Sequence, residues 1–189
     1  GDTIFVTFSK HMDAAVSGGL NGMRISRDNG RTFDEYVEST EDFIPGNMVQ
    51  LPNGDLYFVG LGSQIDAHTV RCISKDLGKT WTQQRGVLTT PGETFSRGGA
   101  GLSSIGFNGI PMVDEDGVLY NSLYGYYLQD TKYRCLWAKS VDNGLNWEIV
   151  STIASGEVPV ELTREPDGYA EPCVVRCADG SLLAVMRTR

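Results

Sequence analysis

Histidine is scarce in this 189-residue sequence, with two copies, and there are four cysteines. Cys173 and Cys177 stand four apart in "PCVVRC". On a strand they point the same way but lie ~13 Å apart, beyond the reach of a disulfide or a shared metal. Cys72 and Cys135 sit in apolar runs, so buried thiols are expected. No Cys/His spacing suits a structural zinc, and no metal or cofactor is called for. Long apolar runs are also missing; none approaches the ~20 residues of a membrane span. No charged-then-apolar leader opens the sequence. Positive charge is short as well: 16 Lys and Arg against 24 Asp and Glu give a net charge of -8. That excludes the electrostatic footprint of a nucleic-acid binder. Helical periodicity is absent throughout.

What is present is a globular composition, 40% hydrophobic and 21% charged, written in repeats. "SRDNGRTF" at 26–33 returns as "SKDLGKTW" at 74–81 and "SVDNGLNW" at 140–147. The shared residues are Ser26, Asp28, Gly30 and Phe33, then Ser74, Asp76, Gly78 and Trp81, then Ser140, Asp142, Gly144 and Trp147. A second series, Asn53-Gly54, Asp116-Gly117 and Asp179-Gly180, recurs every 63 residues between alternating apolar runs. Asn-Gly and Asp-Gly so placed are hairpin turns. One unit therefore reads strand, Asn/Asp-Gly turn, strand, long loop, strand, box, strand. In the second unit the strands are "NMVQL", "DLYFVGL", "HTVRCIS" and "TWTQQRGVL"; in the third, "GIPMV", "VLYNSLYGYY", "KYRCLWAKS" and "NWEIVSTI".

Four antiparallel strands per repeat predict an all-β fold, a β-propeller of four-stranded blades. A β-sandwich would not repeat one turn at one place. The boxes read as scaffold, since three copies cannot all be one active site. In each, Asp and Ser bond back to the turn, Gly takes the left-handed conformation, and the aromatic packs between sheets.

The expected organisation is a single partial propeller domain over 1–189. A first blade lacking its inner strand spans 1–40, a second 44–90 and a third 106–155, and a fourth begins at 170–189. Gly1-Asp2-Thr3-Ile4-Phe5-Val6 aligns with Gly54-Asp55-Leu56-Tyr57-Phe58-Val59, so the sequence opens at a first-hairpin turn. We expect it to be part of a larger ring and inactive by itself.

The hairpin turns and boxes fall on one rim. The opposite rim collects long loops such as "SKHMDAAVSGGL", "TPGETFSRGGAGLSS" and "SGEVPVELTREPDGYAE", where a rigid scaffold carries function. On that rim Glu171 and Arg187 flank the Asp179-Gly180 turn almost symmetrically. The repeat does not demand this pair. Its counterparts one unit earlier are Asn108 and Tyr124, and two units earlier Pro45 and Leu61. A rim salt bridge of under ~1 kcal/mol is the plain alternative. Tyr124, Tyr126 and Tyr127 either stack on sugar rings or pack within the sheet. His68 with Asp66 reads as a solvated loop pair, and "GGAG" at 98–101 as a flexible connection.

Three boxes followed by Glu-x-x-Val-Val-x-x-x-Asp-Gly-x-Leu-Leu-x-x-Met-Arg resemble the sialidase (neuraminidase) superfamily, over roughly the first half of its six-bladed propeller. The resemblance implies a glycoside hydrolase that removes terminal sialic acid, or a related acidic sugar, with retention. It implies that Glu171 activates a tyrosine nucleophile and that Arg187 belongs to a substrate-binding arginine triad. Asp13, the acidic residue of the first blade's loop, is then the acid/base. The triad's first and third arginines and the nucleophile would lie outside this sequence. Arg189, Arg164 and Arg97 are further cations on the loop rim, and Tyr124 is a candidate sugar contact. The implied partner is a glycan, and the implied location is secreted, periplasmic or cell-surface. Two alternatives stay open: a hydrolase or lyase for another glycan, and a non-catalytic glycan- or protein-binding propeller.

Overall fold

The computed structural model describes residues 3–9, 21–33, 35–39, 47–61, 68–90, 105–156 and 168–188. All regular structure among them is β-strand. No helix among the described residues is long and apolar enough to cross a membrane. The chain divides into two units, 1–46 and 47–189.

In the first unit β1 (Ile4–Ser9), β2 (Asn21–Ser26) and β3 (Glu35–Ser39) form an antiparallel meander with β2 central. Met23 and Ile25 of β2 are buried. On the other face Gly22 leaves room for the Phe8 and Tyr36 rings, which stack at 6.4 Å between centroids. A Cβ on Gly22 would lie 2.7 Å from the Phe8 ring.

In the second unit β4 (Val49–Gln50), β5 (Leu56–Leu61), β6 (Thr69–Ser74) and β7 (Thr82–Arg85) form one antiparallel sheet in sequence order. The next sheet contains β9 (Ile105–Val113), β10 (Leu119–Gly125), β11 (Arg134–Ser140) and β12 (Trp147–Ala154), with the short β8 (Leu88–Thr89) added at its edge. The hairpin of β13 (Tyr169–Arg176) and β14 (Leu182–Thr188) follows. These are consecutive blades of a β-propeller. The core lies between the first two sheets. Leu51, Tyr57 and Val59 from one meet Leu119, Leu123, Leu136, Ala138, Trp147 and Ile149 from the other. Along β11, Leu136, Ala138 and Ser140 are buried while Trp137 and Lys139 between them are only partly so, the alternation of an antiparallel strand with one face on the core.

The structure departs from the sequence reading in three places. The inner strand expected over "NMVQL" pairs only at Val49 and Gln50. The inner strand of the third unit is longer than "GIPMV" and begins at Ile105. The run "TWTQQRGVL" is not one strand. It breaks after Arg85, and β8 crosses to pair parallel with β12, giving a five-stranded sheet instead of a four-stranded antiparallel blade. The break falls at Gly86, where a Cβ would stand 1.8 Å from the Leu145 carbonyl oxygen; only glycine lets the two backbones approach so closely. Cys72 and Cys135 are buried, as expected from their apolar runs, and burial pushes the Cys135 thiol up to about 12. Cys173 is instead exposed and Cys177 half-buried, because both sit on the open face of the β13–β14 hairpin.

Candidate functional site

The β13–β14 hairpin closes at residues 177–181, where Gly180 N–H donates to the Cys177 carbonyl at 3.0 Å and Ser181 N–H to Asp179 Oδ1 at 3.0 Å. From that turn the register runs regularly to Cys173 opposite Val185, then resumes at Ala170 opposite Arg187. Glu171 and Pro172 thus face Met186 alone, which is a β-bulge. Glu171 takes φ of 50°, in the left-handed region that non-glycine residues rarely enter. Proline is tolerated at a bulge because no ladder N–H is needed there. Ala170, Pro172 and Val174 point inward, so the bulge turns Glu171 to the rim. There its Oε1 meets Arg187 Nη2 at 2.9 Å, with both side chains close to half exposed. Strain of this kind concentrates at functional sites.

Tyr124, at the rim end of β10, is within electrostatic range of the pair. Burial raises its phenol pKa, the Glu171 carboxylate and Tyr133 raise it further, and the Arg187 guanidinium opposes them. Tyr133 packs edge-on to Tyr124 at 5.5 Å and against Tyr126 at 4.1 Å. Tyr127 is buried in the core, so of the three tyrosines named from the sequence it is a packing residue. The loop carrying them is cross-linked by its own side chains. Asp130 accepts from the Tyr127 N–H at 2.8 Å and from both Nε and Nη2 of Arg134, whose guanidinium lies over the Tyr127 ring. The Tyr169 N–H donates to the Tyr133 carbonyl at 3.0 Å, tying this loop to the strand that carries Glu171.

The three boxes share one hydrogen-bond pattern. Ser26, Ser74 and Ser140 each donate to the box aspartate at 2.8 Å and accept from the box glycine N–H. Asp28, Asp76 and Asp142 each accept from the backbone and side chain of the residue four later. The Thr32 backbone and the Ser26 and Thr32 side chains hold the Asp28 carboxyl down at about 2. The Thr80 hydroxyl and backbone do the same for Asp76. For Asp142 desolvation pushes upward, but the combined hydrogen bonds from Asn146 and Ser140 outweigh it and lower the pKa. Trp81 and Trp147 each return an indole N–H to their own box glycine carbonyl; Phe33 has no such donor. Gly144 is also a docking point. The Tyr57 hydroxyl donates to its carbonyl at 3.2 Å, and a Cβ there would lie 2.3 Å from the Tyr57 ring.

Glu171, Arg187 and Tyr124 are therefore brought together. Asp13, Arg189, Arg164, Arg97 and Asp66 lie outside the described residues. His68 is described and has an interaction partner. No group of three His, Cys, Asp or Glu suited to a metal occurs among the described residues. Sequence reasoning missed Tyr133. Its signal was available as the fourth aromatic of "YGYYLQDTKY", but the loop between is what folds it back.

No family model and no curated protein sequence matches the chain. Solved structures do. A protein of unknown function from Dyadobacter fermentans DSM 18053 aligns with a TM-score of 0.60 at 17% identity, over 100% of this chain and 59% of that one. A xylan beta-1,4-xylosidase from Bacillus halodurans C-125 aligns at 0.61 and 10% identity, over 98% and 35%. An endo-arabinase from Bacteroides thetaiotaomicron VPI-5482 aligns at 0.59 and 14%, over 99% and 69%. The shared feature is the fold. The chain spans 59% of the length of the first of these structures and 35% of the second.

Proposed function

We propose that the protein is a glycoside hydrolase of the propeller type and that Glu171 and Arg187 belong to its sugar-binding site. The observation that carries this is the carboxylate–guanidinium contact on a strained bulge, with the Tyr124 phenol beside it. The fold likeness to a xylan beta-1,4-xylosidase and an endo-arabinase supports it.

The reading we favour within this class is sialidase-like, acting on sialic acid or a related acidic sugar with retention. The Arg187 guanidinium spends one nitrogen on Glu171 among the described residues, so its remaining donors can fork onto a sugar carboxylate. A substrate carboxylate would repel a carboxylate nucleophile, and a tyrosine oxygen avoids that repulsion. Glu171 would take the proton from such a tyrosine, Asp13 would protonate the leaving oxygen, and Arg189 would add to the cationic rim. Tyr124 offers a polar edge to the bound sugar. A secreted, periplasmic or cell-surface location accompanies a glycan substrate in this proposal. The likeness to a xylosidase and an arabinase favours, as the second reading, a neutral pentoside with Glu171 as one of a pair of carboxylates.

The test is to assay the whole protein on fluorogenic sialoside, arabinoside and xyloside, beside Glu171→Gln and Arg187→Ala. Turnover of the sialoside that falls ~10²-fold or more in Glu171→Gln, with a raised KM in Arg187→Ala, supports the first reading. Turnover of a pentoside alone, lost in Glu171→Gln, moves the function to the second. Undiminished activity in both variants removes the site assignment.

A further inference from the structure

Asn108 occupies in the third repeat the place Glu171 occupies in the fourth, 63 residues on. Its strand is bulged directly after it. The register of β9 against β10 slips between Tyr120 and Ser122, so Gly109, Ile110 and Pro111 face Asn121 alone. The two bulges touch. Asn108 Nδ2 donates to the Pro172 carbonyl at 3.0 Å. The buried Ser122 hydroxyl lies 2.6 Å from the Asn108 carbonyl and 3.0 Å from the same Pro172 carbonyl. Gly109 has φ of +81°, and a Cβ there would stand 3.0 Å from Ser122 Oγ and 3.1 Å from the Pro172 oxygen. The side chain of Asn121 in turn accepts from the Ser122 N–H at 2.8 Å. The carbonyl so gripped belongs to the residue after Glu171. That carbonyl lies in the Pro172–Cys173 peptide, so the grip fixes the chain immediately after the left-handed glutamate and limits how the bulge can rearrange.

We infer that Asn108 and Ser122 are positioning residues that hold the Glu171 bulge in its left-handed form, and so set the contact between Glu171 and Arg187. The inference rests on the reading of that pair as the functional site, yet its test does not need turnover. In the ¹⁵N-labelled full chain the Arg187 Nε–H signal, assigned by its loss in Arg187→Lys, reports whether the guanidinium is held. In Glu171→Gln it should move towards the position of free arginine side chains. Asn108→Ala and Ser122→Ala should produce the same movement, with the methyl signals of Leu123 and Leu136 kept as proof of folding. Ser181→Ala is the control. It removes the 2.6 Å bond to Asp179 at the far turn of the same hairpin and should leave the Arg187 signal in place. An Arg187 signal unmoved in the folded Asn108 and Ser122 variants overturns the inference, as does equal movement in Ser181→Ala. If instead these signals behave as stated while the whole protein turns over no glycoside, the positioning role stands and the functional reading fails.

Discussion

Backbone strain is unevenly shared among residues that look equivalent in the repeat. The residue before the box glycine takes a left-handed φ in all three boxes: Asn29 at 61°, Leu77 at 58° and Asn143 at 57°. Asparagine tolerates this conformation because its short side chain bonds locally, whereas leucine bears the full steric penalty. Leu77 is 39% exposed, so its burial is incomplete and offsets only part of that cost. Leu77→Asn should therefore stabilise the protein by about 1 kcal/mol, the low end of the left-handed penalty, measured by urea denaturation. No gain would mean that the Leu77 side chain contributes packing of equal size. Glu171 is strained to a similar degree, but there the strain coincides with an ion pair instead of a plain turn.

Strands and turns show how the boxes work as joints. Box three receives the neighbouring sheet through Tyr57 on Gly144, Thr69 on the Leu145 carbonyl at 2.6 Å, and Val87 N–H on Asn146 at 2.9 Å. The β7–β8 crossover completes the seam, with Trp147 N–H donating to the Val87 carbonyl at 2.8 Å. Gly86→Ala would drive a methyl into the Leu145 carbonyl, so at least one of these contacts must open. The expected loss is about 1–3 kcal/mol, as for other overpacked sites. It would appear as a lower thermal midpoint, with β8 amides losing hydrogen-exchange protection first. An unchanged midpoint would show that the seam can shift without cost.

At the scale of the whole molecule, acid should act through the boxes. Asp28 and Asp76 are held down at about 2, below the ordinary carboxylate value near 4, so the folded state binds fewer protons than the unfolded chain between these limits. Their contribution is present above pH ~4 and is lost as pH falls towards 2. Both carboxylates are partly open to solvent, so each contributes modestly and salt screens part of the effect. An acid titration followed by circular dichroism should show stability falling in that window, less steeply in Asp28→Asn and Asp76→Asn. A fall of the same steepness in these variants would remove the boxes as the acid-sensitive elements. Exposed Cys173 and the half-buried Cys177 add a further asymmetry, since only these two thiols are open to reagent without unfolding.

The sequence by itself determined the all-β class, the repeat, the place of each hairpin turn and box, and the choice of Glu171 and Arg187 as a pair. Those are local matters, set by turn chemistry and by a spacing of 63 residues. Tertiary structure decided the rest. Whether "TWTQQRGVL" stays in its own sheet depends on how closely Gly86 approaches Leu145, a residue far along the chain. Glu171 reaches Arg187 through a bulge that simple alternation does not reveal, braced by Asn108 and Ser122 from the preceding sheet. A strand's period is written in its own residues, but a bulge and the groups that grip it exist only once two sheets have met.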